Sequence, residues 1–173
     1  LKSKTGYFDY TKDAVLYLES IDKDFYRVER DYGAVWLNTA LFQGWKGTKA
    51  YYSFHQRPTL DFLEVMSVPL LFKDIYWING FGSRFKLNTF VGVRYYLAEE
   101  KDKDSIPFGY VYLNTLGNIH LYRNDYYLPL GFAYDTFIGK EDFVKLSPDL
   151  KDETILQSFV WGGGDGIPEE YGI

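Results

Sequence analysis

Two runs rich in aromatic and β-branched residues, Phe108 to Leu113 and Ile119 to Tyr122, stand only five residues apart. The connection, Asn114-Thr115-Leu116-Gly117-Asn118, carries a glycine late in the turn, so the pair reads as a β-hairpin. A hairpin commits this part of the chain to antiparallel pairing, because parallel neighbours need a crossover of a dozen or more residues.

Upstream, Thr11 can cap a helix running to about Ile21, with Asp13 in its first turn and Ala14, Leu18 and Ile21 on one face. Phe25 to Tyr32 alternates, with Tyr26 and Val28 on one side and Arg27 and Glu29 on the other, as a half-buried strand does. Gly33 to Gly47 is irregular and ends in a glycine-bounded loop. Tyr51 to Phe54 reads as a short strand, and Arg57-Pro58-Thr59 opens a helix over Leu60, Phe62, Leu63 and Met66 that Pro69 ends. Phe72 to Arg84 reads as loop. A short helix over Phe85 and Leu87 then precedes Gly92, a strand from Val93 to Leu97, and a charged loop to Ile106. Leu130 to Tyr134 reads as a further strand, and Glu141 to Leu146 and Lys151 to Val160 as helices. Without βαβ alternation, these elements predict an α+β fold: a single domain over residues 1–161, with a mostly antiparallel sheet and helices packed on it. Residues 162–173 read as a linker or tail toward a following domain.

The 173 residues suffice to bury a core without metal or disulfide staples, and there is no cysteine for a disulfide or a thiolate zinc site. Net charge is -5, with Lys and Arg scattered, which sets nucleic acid aside as a partner. Aromatics make up 20% of the chain, a composition that suits strands and also sugar-binding faces. Met66 is the only methionine and the first residue is Leu1, so the chain reads as a segment of a longer protein. Its apolar runs, such as Val68 to Phe72, fall far below the ~20 residues that span a bilayer.

Motifs for catalysis are weak. Asp102-Lys103-Asp104 has the spacing with which two carboxylates can hold a divalent ion, but its charged neighbours make a solvated loop the plainer reading. His55 and His120 have no ligand motif around them. Gly162-Gly163-Gly164-Asp165-Gly166 follows a helix and lacks the Lys-Ser/Thr of a phosphate loop. Neither a nucleophile elbow nor a zinc-protease motif occurs, so no catalytic residue, metal or cofactor is expected. Carboxylates that meet only in space would escape this reading.

The stretch Tyr122 to Asp135 contains a turn pair at Asn124-Asp125, a proline at 129, a glycine at 131 that would permit close backbone approach, and Phe132. It joins two other stretches. One starts at Tyr7-Phe8-Asp9-Tyr10 and continues through Phe25 to Glu29, Leu37-Asn38-Thr39, Gln43 to Gly47 and Leu60 to Leu63. The other is Leu87 to Leu97. Together these resemble the bacterial membrane protein YfhO family, whose members look like polytopic glycosyltransferases using lipid-linked donors. The resemblance implies an extracytoplasmic domain on the outer face of the bacterial cytoplasmic membrane, partnered by the membrane-embedded part of its own chain. It also implies a parent that moves sugar from a polyprenyl phosphate carrier to a cell-surface glycopolymer. The family's membrane core and acidic catalytic loop are absent here, so no catalytic role is carried over.

Two roles fit such a domain. As a positioning module, it would stack an acceptor glycan on Trp45 or Trp77 and hold it through Asn38, Gln43, Lys46, Asn88 and Arg94. As a scaffold, it would pack on its parent, with the polar residues satisfying backbone and Asn124, Pro129, Gly131 and Phe132 shaping the sheet's support. A stand-alone carbohydrate-binding module or a glycan-processing enzyme are the alternatives.

Overall fold

Helix α1 (Tyr10–Ile21) starts two residues earlier than Thr11 would set it, because Asp9 is the cap and its Oδ1 accepts from the Thr11 amide at 3.0 Å. Thr11 is instead buried in the first turn, its hydroxyl 2.6 Å from that of Tyr32. Ala14, Val15 and Leu18 form the buried stripe, while Ile21 overhangs the end and is half exposed. Each fully buried Val or Leu in that stripe contributes about 1.5–3 kcal/mol. The structure is a computed structural model and describes residues 9–33, 38–70, 77–99 and 106–163.

Under α1 lies a four-stranded sheet of β1 (Arg27–Arg30), β4 (Val93–Glu99), β5 (Tyr110–Leu116) and β6 (Ile119–Asn124), in the order β1-β4-β6-β5. The hairpin is β5–β6, with a tighter turn than the sequence suggests. A register shift between Tyr112 and Asn114 lengthens β5, leaving Gly117-Asn118 as a two-residue connection. Gly117 has φ +63, the pattern of a type II′ turn, and a Cβ there would come within 2.3 Å of the Tyr10 ring. β4 pairs antiparallel with β6, but β1 joins β4 in parallel, so the sheet is mixed. The fold class is α+β, as the element pattern predicts.

A second core forms from α3 (Arg57–Val65), β3 (Trp77–Asn79), α4 (Phe85–Phe90), α5 (Lys140–Phe143) and α6 (Pro148–Gln157), where Leu63, Met66, Ile78, Leu87, Phe143 and Ile155 meet. The arrangement corrects several expectations. Strand β2 is Lys49–Tyr51, ending where the sequence has it begin, and it pairs antiparallel with β3 inside a stretch expected to be loop. Leu130 to Tyr134 pairs with nothing in the sheets; Leu130 is exposed in chain that Pro129 and Gly131 keep irregular. The last helix starts at Pro148 behind a Ser147 cap and stops at Gln157, since Phe159–Trp161 (β8) pairs in parallel with Phe137–Gly139 (β7).

Among the described residues, no helix is long and apolar enough to cross a membrane. The Asp102-Lys103-Asp104 spacing and residues 164–173 of the expected tail lie outside them.

Candidate functional site

A cleft opens where the end of β1 meets the two-stranded ribbon. Period-2 alternation puts Lys49 and Tyr51 of β2 beside Trp77 and Asn79 of β3 on one face, while Ile78 turns the other way into the second core. Tyr51 and Trp77 are register partners, and their rings meet edge to face at 5.9 Å. Arg30 and Tyr32 form the opposite wall, and Asn38 closes one end. The space holds about 130 Å³.

Asn38 sits there with φ 56, a left-handed conformation that Asn tolerates, at the start of α2 (Thr39–Gln43). Its amide is already engaged: Nδ2 donates to the Tyr51 carbonyl at 2.6 Å and Oδ1 accepts from the Tyr51 amide at 2.7 Å. Asn38 therefore holds Tyr51 in place and offers a ligand little of its own.

Beneath the cleft, Glu29 is fully buried, although strand alternation predicts a solvated side for it. The Asn79-Gly80 turn folds over it: Oε2 accepts from the Phe81 amide at 3.1 Å and the Thr48 hydroxyl at 2.5 Å, and Oε1 from the Arg30 amide at 2.9 Å. Gly80 has φ +73, and a Cβ on it would stand 2.4 Å from Oε2, so only glycine lets the turn seat on the carboxylate. The Lys49 ammonium lies 3.9 Å from Oε1. Burial pushes the Glu29 carboxyl above its usual range and pulls Lys49 below its own, outweighing their attraction and, at Lys49, the help of Asp31. Burial also raises Tyr32, against the opposing pull of Thr11 and Arg30.

Arg30 is the unusual wall residue. It is only 5% exposed, lies over the rings of Tyr32 and Trp45 at 5.5 and 5.8 Å, and finds no acceptor among the described residues for Nε or Nη1.

Of the residues singled out in the sequence, the cleft brings together Asn38 and Trp77. Trp45 is buried, its indole donating to Gln43 Oε1 at 3.1 Å, and cannot present a face to a sugar. Gln43 is buried too; its Nε2 donates to Asp9 Oδ1 at 3.1 Å, tying α2 to the cap of α1. The loop that follows does need glycine at 47, where a Cβ would meet Ala40 at 2.7 Å and Trp45 at 2.9 Å. Lys46 is exposed over the Phe25 ring at 5.4 Å. Asn88 is buried and donates to the Gly82 carbonyl at 2.9 Å. Arg94 lies elsewhere, paired with Asp22 at 2.9 Å and Asp24 at 3.3 Å and stacked on Tyr127 at 4.6 Å.

In the motif after β6, Asn124 donates to Thr89 Oγ1 at 2.9 Å and the Val93 carbonyl at 3.2 Å, and accepts from the Tyr126 amide. This joins α4 to the end of the sheet. Phe132 meets the rings of Phe90 and Tyr134. Pro129 is exposed, and Gly131 borders open space, so no close backbone approach requires the glycine. Among the described residues no His, Asp and Glu cluster could hold a metal ion.

Comparison with known proteins gives the chain a lineage. A family model described as "Bacterial membrane protein YfhO" matches residues 2–164. The uncharacterized protein YfhO of Bacillus subtilis (strain 168) is 22% identical over 134 residues, which cover 77% of this chain and 16% of that protein. The chain thus spans a minor part of the length of that relative. No solved structure matches.

Proposed function

The chain belongs to the bacterial membrane protein YfhO family, and on that premise we propose that it is a non-catalytic module that positions an acceptor glycan for the membrane-embedded part of its parent. The parent in this reading is a polytopic transferase that passes sugar from a polyprenyl phosphate carrier to a cell-surface glycopolymer. The domain stands on the outer face of the cytoplasmic membrane and spans residues 1–161, with 162–173 as the linker to a following domain.

One observation carries the reading: the cleft pairs two partly buried aromatic rings, Tyr51 and Trp77, with polar groups on both sides. Sugar C–H faces stack on such rings while charged and amide groups orient the hydroxyls. In the full-length protein, Trp77→Ala should raise the acceptor KM about tenfold, the worth of one lost stacking contact, and leave kcat in place. An unchanged KM in a folded variant would remove the glycan from this cleft.

A scaffold role has its own support. Phe108 and Tyr126 are exposed, stack at 6.1 Å and flank Phe85, with exposed Tyr112 on the following strand against Tyr122, which packs in the same cluster as Phe85. Such a group suits a contact with the membrane-embedded part of the parent. If packing were the whole function, the Trp77 change would leave acceptor kinetics untouched.

A further inference from the structure

The cleft contains a cation that the described residues satisfy only in part. A guanidinium carries five N–H donors in one plane, and the two rings near which Arg30 lies offer it cation–π contact but no conventional hydrogen-bond acceptor in their place. Nε and Nη1 are buried without an acceptor among the described residues. Removing a charge from water without a partner is among the costliest arrangements in a protein, and two ring contacts offset only part of it. Lys49 stands on the same cleft, so two cations face one space. No hydrogen bond runs from Arg30 Nε or Nη1 to Glu29, which is turned to Thr48 and the Gly80 turn, or to Asp31, whose charge also acts on Lys49.

We propose that this corner of the cleft is an oxyanion receptor, in which Arg30, flanked by Lys49, takes a phosphate or carboxylate group carried by a saccharide that rests on Tyr51 and Trp77. The inference rests on the glycan reading of the cleft and names the chemistry of its ligand. Size agrees: about 130 Å³ admits one oxyanion with its donors. The saccharide rests on the Tyr51 and Trp77 rings and turns its charged group to Arg30.

The test follows the Arg30 Nε–H and Trp77 indole signals of the 173-residue chain by NMR. The probes are N-acetylglucosamine, N-acetylglucosamine 6-phosphate, glucuronate and inorganic phosphate at matched ionic strength. A charged sugar should bind about tenfold more tightly than the neutral one and move both signals, and the tighter of the two identifies the group as phosphate or carboxylate. Arg30→Met should abolish that preference and unfold at higher denaturant than the native chain, since it removes a buried unpaired charge and keeps the packing volume. Arg30→Lys, which keeps the charge and loses the fork, should retain only part of the preference. Sugars that move Trp77 equally with and without charge would overturn the receptor and leave the glycan cleft standing. Inorganic phosphate moving Arg30 while no sugar moves Trp77 would support an anion site and sink the glycan reading. Silence of Arg30 to every anion, or an Arg30→Met chain that is less stable with its preference intact, would make the residue structural.

Discussion

Glu29→Ala is expected to destabilise the chain by about 3–5 kcal/mol, a large share of the stability a domain of this size has. The carboxylate satisfies the amides of Arg30 and Phe81 and the Thr48 hydroxyl, and it is the nearest anion to Lys49. Alanine leaves those donors without this acceptor and the partly desolvated ammonium with only the weaker help of Asp31. Glu29→Gln should cost less, about 2 kcal/mol, since one oxygen survives and the new amide faces a donor. The measurement is the urea midpoint, read with the slope unchanged. Its pH dependence has a definite sign. The folded-state carboxyl value is raised above the ordinary 4.5, so the folded chain holds this proton more tightly than the unfolded one. The group's contribution is most favourable below that ordinary value and falls as pH rises toward the folded-state value. The gap between native and Glu29→Gln chains should therefore narrow as pH rises through that window.

Asp152→Ala is expected to cost about 3 kcal/mol, and its effect should be local. Asp152 on α6 is 5% exposed and receives both arms of Arg84 at the start of α4: Nε donates to Oδ2 at 2.9 Å and Nη2 to Oδ1. A bidentate, largely buried pair of this kind is one of the strong side-chain contacts. The exposed Lys86–Glu153 pair beside it adds little. Arg84 is partly open to water, which holds the cost near the lower end for a broken buried pair. Hydrogen exchange should show α6 and β8 losing protection while β4 and β6 keep theirs, because the second core is joined to α4 at this point. Uniform loss across both cores would show that the two do not separate.

Local signals were legible where local physics decides. The β5–β6 hairpin, the α1 stripe at Ala14 and Leu18, and the switch from a short helix to a strand across Gly92 all come from turn chemistry and periodicity. What the sequence hides is non-local. β1 pairs with β4 across more than sixty residues, and no periodicity announces a parallel partner. The same pairing buries both faces of β1, so Glu29, which alternation puts on a solvated side, and Arg30 on the other are both enclosed once the Gly80 turn and the Trp45 ring are in place. The candidate site divides likewise. Trp77 and Asn38 could be singled out by residue type, but Lys49 and Tyr51 belong to it through the β2–β3 register and Arg30 through the parallel β1–β4 pairing. Trp45, an attractive loop tryptophan between glycines, is drawn inward because Gly47 lets the backbone close over its ring.

Whether the Tyr51–Trp77 cleft holds a saccharide is tested most directly by a chemical-shift map of the chain titrated with purified cell-surface glycopolymer to roughly millimolar repeat units. A saccharide in the cleft predicts movement at the Trp77 indole and the Tyr51 amide, with the buried Trp45 indole unmoved. No movement, or movement centred on Arg94 and Tyr127, would contradict it.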